Sequence, residues 1–255
     1  MLLAVDVGNT QSVLGLYRGA ELEHHWRLTT EPQRTTDELD VDVAALLALR
    51  GVAGSVTAAA LSTTVPTLTH AWTSVLRRIS ASEPVVIGPG VKTGVPVRTD
   101  NPREVGPDRI ANTVAAHAHY GGPCIVVDFG TSTNFDVVSA EGEFLGGAIA
   151  PGVEISMDAL YSRAARLIKV DLAAPATAVG KSTVAAMQSG AVFGFAGQVD
   201  GIVRRIQAEL GGPCPVVATG GLGGLMRPHC ETVTAYEPWL TLDGLQRVWQ
   251  RNQET

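Results

Sequence analysis

The chain is short of positive charge, aromatic residues, cysteine and long apolar runs, and each shortage removes a class of function. Nineteen Lys and Arg face twenty-five Asp and Glu, for a net charge of −6. That leaves no basic footprint for nucleic acid, and no helix-turn-helix or zinc-finger spacing is present. Aromatics are 5% of the residues, so Trp72, Trp239 and Trp249 are expected in the core or an interface, not as a base-stacking platform. The three cysteines, Cys124, Cys214 and Cys230, are odd in number and widely spaced. They fit a reducing cytoplasm and not a disulfide framework or a structural zinc site. No apolar stretch reaches the roughly 20 residues of a membrane helix. The apolar N-terminus is too short for a signal peptide and runs straight into Asp6. A cytoplasmic protein without membrane or nucleic-acid partners is therefore expected.

What is present is enough apolar material for one large core or two modest ones: 255 residues, 45% of them hydrophobic. Strands are expected at residues 2–6, 12–18 and about 22–28, forming a meander with a turn at Arg18–Glu21. Helices follow at 36–50 and 66–79, with strands at 57–62 and 84–87. Residues 88–102 are too rich in Gly and Pro for regular structure and lead into a helix at about 107–119. Further helices are expected at about 153–166, 182–210 and 240–252, with strands at 215–218 and 231–235.

One pattern occurs twice. Val5-Asp6-Val7-Gly8-Asn9-Thr10 matches Val127-Asp128-Phe129-Gly130-Thr131-Ser132 at an offset of 122 residues. An apolar strand, a polar turn and a third strand follow each. Two copies at half-chain spacing predict a duplicated domain with two similar α/β lobes.

The repeated unit has a chemical reading. A buried strand that ends on an aspartate carries a carboxylate to the sheet edge. Gly8 lets a ligand approach the backbone, and the turn can aim N–H groups and the hydroxyls of Thr10 and Ser12 at an anion. A carboxylate alone repels phosphate, so a cation is expected between them, most simply Mg²⁺ held through water. A third turn after an apolar strand, Thr219-Gly220-Gly221, would admit a nucleoside or its phosphates.

In the segment NPREVGPDR, Gly106 reads as an N-cap and Pro107 as the first helical residue. Asp108 and Arg109 then lie in the first turn. The positive end of the helix is expected to hold the Asp108 pKa low. The carboxylate suits a proton acceptor late in phosphoryl transfer, and Arg109 suits a bidentate grip on a carboxylate or phosphate. The segment VGKST is no nucleotide P-loop, because Pro175 stands where its first glycine belongs. There, helix capping by Ser182 or Thr183 and a substrate hydrogen bond both stay open.

Assembled, these residues resemble the type III pantothenate kinases, of the acetate and sugar kinase/Hsp70/actin superfamily. The resemblance spans nearly the whole chain. It rests on DVGNTQSV (6–13), NPREVGPDR (101–109), VDFGTSTNFDVV (127–138), GGAIAPG (146–152), GKSTVAAMQSG (180–190) and TGG (219–221). It implies an α/β fold of duplicated RNase H-like (actin-like ATPase) lobes, each a mixed sheet flanked by helices, here divided as 1–118 and 119–255. It implies transfer of the ATP γ-phosphate to the primary hydroxyl of pantothenate. By the same resemblance Asp6, Val7, Gly8, Asn9, Thr10, Gln11, Ser12 and Val13 hold ATP phosphates, with Asp6 near Mg²⁺. Thr131 adds a phosphate contact. Asp128 binds a monovalent cation, K⁺ or NH₄⁺. Gly106, Pro107, Asp108 and Arg109 line the pantothenate pocket, with Asp108 as proton acceptor, and Thr183 adds a substrate contact. A homodimer is implied too. Two residues depart from the family pattern: Thr99 stands where many relatives have Tyr, and Pro107 replaces the commoner Ala. A regulatory protein on the same scaffold, or a kinase for acetate or a sugar, are the alternatives, and Asp108 beside Arg109 speaks against both.

Overall fold

The computed structural model describes residues 1–164 and 167–253. Contacts divide the chain into two compact units. The first holds Met1–Val95, Asp100–Ala115 and the C-terminal stretch from Leu240; the second holds Pro96–Thr99 and Ala116–Trp239.

The first unit opens with three antiparallel strands, β1 (Leu2–Val7), β2 (Gln11–Arg18) and β3 (Glu21–Thr29). Helix α1 (Thr36–Leu49), β4 (Ala58–Thr63), α2 (Pro66–Ser80) and the short β5 (Val85–Val86) follow. The sheet order is β3-β2-β1-β4-β5, with β4 parallel to β1. β1 is the central strand, and that explains its unbroken apolar run: both faces are covered. Leu3, Val5 and Val7 pack with Leu39, Val43, Trp72 and Leu76 of α1 and α2. The opposite face meets the last helix, α7 (Leu240–Arg251), where a Cβ on Gly15 would lie 2.8 Å from Leu242. Tyr17 closes this contact by donating its hydroxyl to Asp243 at 2.6 Å.

Helix α1 starts where its sequence says. Thr35 accepts from the Glu38 N–H, and Glu38 accepts from the Thr35 N–H, a reciprocal capping box. Helix α3 (Pro107–Tyr120) begins in the first unit. Its Ala111 carbonyl lies where a Cβ on Gly244 would be, 2.0 Å away, so only glycine lets α7 pack this close.

The second unit repeats the plan. Strands β6 (Cys124–Phe129), β7 (Ser132–Val138) and β8 (Phe144–Pro151) are an antiparallel meander. Helices α4 (Val153–Arg163) and α5 (Thr183–Glu209) come next, then β9 (Val216–Thr219), the one-turn α6 (Gly223–Met226) and β10 (Ala235–Tyr236). The order β8-β7-β6-β9-β10, with β9 parallel to β6, is that of the first sheet strand for strand. Both sheets are mixed, five-stranded and flanked by helices, as the duplicated α/β reading implied.

Two details depart from the expectations, and a third cannot be compared. The C-terminal helix belongs to the first unit, not the second, because its apolar side, with Leu242 and Leu245 buried, packs on that unit's sheet. The strand expected at 231–235 is reduced to Ala235–Tyr236, since the N–H groups of Glu231 and Thr232 donate to the buried Asp200 carboxylate at 2.9 and 2.8 Å. The end of the helix expected to reach 166 lies outside the described residues.

Candidate active site

At the tip of β1, Asp6 is half-buried and pairs in register with Val13 of β2 and Ser62 of β4. The Gly8 N–H donates to the Gln11 carbonyl at 3.0 Å, closing a hairpin whose tip is the exposed pair Asn9 and Thr10. A Cβ on Gly8 would sit 3.2 Å from that carbonyl, so glycine eases the closure. The Thr30 N–H anchors the tip by donating to the Thr10 carbonyl at 2.9 Å. The Ser12 hydroxyl, expected to face an anion, is instead buried against the Thr30 hydroxyl at 2.8 Å. Alternation decides this: Ser12 pairs with Val7 on the core face, opposite to Asp6.

The end of β4 joins this tip to Asp108. Thr64 donates both its N–H and its hydroxyl to the Val7 carbonyl, at 3.0 and 3.2 Å. Its methyl lies 3.8 Å from where a Cβ on Gly106 would be, and the Asp108 Oδ1 lies 2.4 Å from the same point. Gly106 is therefore glycine so that the Asp108 carboxylate can fold back over it. Gly106 also begins the helix, its carbonyl accepting from the N–H groups of Arg109 and Ile110. Asp108 Oδ1 accepts from the Arg109 N–H at 2.9 Å.

The low pKa expected for Asp108 is corrected by its surroundings. Burial pushes the carboxyl above its ordinary value, and this outweighs the backbone N–H groups and the Arg109 charge that pull it down. The helix terminus is present, but desolvation wins. A carboxylate raised toward neutrality is a better proton acceptor than one held low.

In the second unit, Asp128 occupies the corresponding place at the tip of β6, paired with Asn134 of β7 and Thr219 of β9. The Gly130 N–H donates to the Ser132 carbonyl at 3.0 Å, leaving Thr131 alone and exposed at the tip. This hairpin is one residue shorter than the first, so register sets Ser132 against Gln11 and not, as in the sequence match, against Thr10. Gly220 has φ 86°, and a Cβ there would lie 2.4 Å from Asp128 Oδ1 and 2.6 Å from the Phe129 carbonyl. A carboxylate and a carbonyl oxygen thus converge on a cradle that any side chain would fill, a donor set suited to a hard cation such as K⁺. Among the described residues no three His, Cys, Asp or Glu side chains group to cage a metal.

Thr183 is the first residue of α5 and is exposed; Ser182 is the cap, accepting from the Ala185 N–H at 3.2 Å. Thr183 lines a groove of about 660 Å³ between α4 and α5, whose walls include Met157, Leu160, Met187 and Phe195. Sequence reasoning passed over Ser62 and Thr64, and gave no role to Gly152 beyond its place in GGAIAPG. The last packs against the second tip, its N–H donating to the Thr131 carbonyl at 3.1 Å. Hydroxyls after an apolar strand were the available signal for the first two.

The family model for type III pantothenate kinase matches residues 2–205. A type III pantothenate kinase of Moorella thermoacetica is 52% identical over 253 residues, covering 99% of this chain and 100% of that protein. One from Acidothermus cellulolyticus is 53% identical over 253 residues, covering 99% of each. Among solved structures, the inorganic polyphosphate/ATP-glucomannokinase of Arthrobacter sp. strain KM aligns with TM-score 0.52 at 14% identity, over 98% of both chains. That likeness is one of fold, and it agrees with the two repeated sheets. The chain belongs to the type III pantothenate kinase family.

Proposed function

We propose that this protein transfers the γ-phosphate of ATP to the primary hydroxyl of pantothenate, giving 4′-phosphopantothenate at the start of coenzyme A synthesis in the cytoplasm. The observation that carries the reading is that one unit holds both the Asp6 hairpin, braced by Thr64, and the Asp108 carboxyl, folded over Gly106 and raised by burial. Ionised Asp108 accepts the hydroxyl proton as the pantothenate oxygen bonds to the γ-phosphorus. The bond from that phosphorus to the bridging oxygen breaks, and ADP leaves. Such a reaction needs positioning and charge stabilisation more than covalent help from the protein.

The remaining roles follow residue by residue. The stretch from Asp6 to Val13 holds the phosphates, with the backbone of Ser12 taking part and its hydroxyl bracing the tip. Thr131 adds a phosphate contact. Gly106, Pro107 and Arg109 line the pantothenate site, Arg109 holding the carboxylate, and Thr183 contributes a hydrogen bond. Asp6 holds Mg²⁺ through water and Asp128 holds K⁺ or NH₄⁺; when bound, these cations neutralise phosphate charge. A homodimer accounts for exposed apolar residues of the second unit, Ile149, Ile155, Leu160 and Val184, and for the open groove beside them.

The test is direct. Purified protein with ATP, Mg²⁺, K⁺ and pantothenate is expected to yield 4′-phosphopantothenate, and acetate or sugars in place of pantothenate to yield nothing. Absence of product with every cation would overturn the activity. A monomer by light scattering would overturn the dimer alone.

A further inference from the structure

Strand β4 reads Ala58-Ala59-Ala60-Leu61 and then turns to three hydroxyls, Ser62-Thr63-Thr64. Two of them are used locally. Thr63 Oγ1 lies 3.2 Å from the Val65 carbonyl and 3.1 Å from the Val65 N–H, and Thr64 donates to the Val7 carbonyl. Ser62 differs. It is fully buried, and among the described residues its Oγ has no hydrogen-bond partner. A buried hydroxyl without a partner destabilises the fold, so a strand built for stability alone would carry alanine there, as it does at the three positions 58–60.

Its position gives the reason. Ser62 is the parallel partner of Asp6, so the two side chains leave the sheet on the same face at the same level. The repeated unit keeps the arrangement: Thr219 is the parallel partner of Asp128 and is nearly as buried. Each strand-tip carboxylate therefore has a hydroxyl-bearing neighbour across the parallel ladder, in units whose sequences here share little else.

We infer that Ser62 is a positioning residue for the divalent-cation end of the nucleotide site: when the cation is bound, its buried hydroxyl donates to the neighbouring Asp6 carboxylate and orients it toward the cation. The inference rests on the proposed kinase reading and adds a residue to it. Its chemistry is ordinary. A neutral hydroxyl donates to a carboxylate without adding charge, so it orients Asp6 without competing with phosphate for the metal.

The test separates ligand from structural roles. Binding of Mg²⁺·ADP and of Mn²⁺ is measured by calorimetry, and apo stability by thermal unfolding, for wild type, Ser62→Ala and Ser62→Thr. Ser62→Ala is expected to weaken Mg²⁺·ADP roughly fivefold to tenfold, the worth of one hydrogen bond. It should leave the pantothenate KM alone and keep or raise the apo unfolding temperature. Ser62→Thr, which copies the side chain of Thr219, is expected to restore binding. Unchanged Mg²⁺·ADP affinity in Ser62→Ala overturns the inference, as does a lowered unfolding temperature of the apo protein, which would make the hydroxyl structural. Wild type that binds Mg²⁺·ADP but forms no phosphopantothenate would sink the substrate assignment and leave the Ser62 comparison readable. Wild type that binds no magnesium nucleotide overturns both.

Discussion

The two units share a strand order and an Asp-x-Gly tip, and they differ in what stands beside that tip. In the first, the neighbouring strand runs through Ser62 and Thr63 to Thr64, whose methyl lies near Gly106, over which the Asp108 carboxylate folds. In the second, the neighbouring strand ends in Thr219 and Gly220, and the Asp128 carboxylate lies against the glycine backbone. The first tip is a hairpin with two residues at its end; the second has one. Duplication supplied two equal scaffolds, and their loops then diverged. One carries the buried Asp108 carboxyl, the other a small oxygen-lined cradle at Gly220. A scaffold whose strands are buried on both faces tolerates little change inside, so difference collects at strand ends.

The largest expected effect breaks this comparison on the side of the first unit. Asp108→Asn is expected to lower kcat by roughly 10²–10⁴-fold, the worth of a positioned acid–base group, with the fold kept. Wild-type turnover would remove Asp108 from the mechanism. The raised pKa adds a second readout. The acceptor must be ionised, so kcat should fall about tenfold per pH unit below the Asp108 pKa, at a higher pH than an ordinary carboxylate gives. The variant should lack that limb. Stability moves the other way. A carboxyl whose folded pKa is raised favours folding below its unfolded pKa, and this is lost as pH rises through the folded value. At neutral pH, Asp108→Asn should therefore unfold no earlier than wild type. A lower unfolding temperature there would mean that the carboxylate is structural.

How far these features were legible depended on what set them. The strands and helices followed from apolar periodicity, because buried elements are written in their own residues, and the duplication from the repeated Asp-x-Gly turn. Helix α1 was legible to its first residue, and the structure adds the local device that fixes it, the Thr35–Glu38 capping box. What failed was decided by distant groups. The Asp108 pKa is set by burial, with Thr64 on its side of the fold 44 positions away in sequence, while the helix terminus that misled lies within one turn. The strand at 231–235 was shortened by Asp200, on a helix thirty residues earlier. The Ser12 hydroxyl was misread because a match of types ignores which face a strand residue takes. Chain order gave no sign that α7 returns to the first unit; its apolar stripe required only some sheet to cover.

The smaller expected effect tests the second unit's side. Gly220 has a positive φ, and an added Cβ would meet Asp128 at 2.4 Å and the Phe129 carbonyl at 2.6 Å. The carbonyl cannot yield cheaply, since it is backbone, and the Asp128 carboxylate could yield only by rotating away. Gly220→Ala is expected to cost about 1–3 kcal/mol, lowering the unfolding temperature by several degrees in a chain of this size. If the cradle serves a monovalent ion, the variant should also need a higher K⁺ concentration for half-maximal activity, while its Mg²⁺ requirement stays near wild type. A variant that loses stability with unaltered K⁺ dependence would reduce the glycine to a tight corner. Because Ser62 stands on the equivalent strand of the other unit, the two substitutions should separate the ions. Ser62→Ala should act on the divalent response and Gly220→Ala on the monovalent one. A crossed result, with each change moving the other ion, would exchange the roles assigned to the two aspartates.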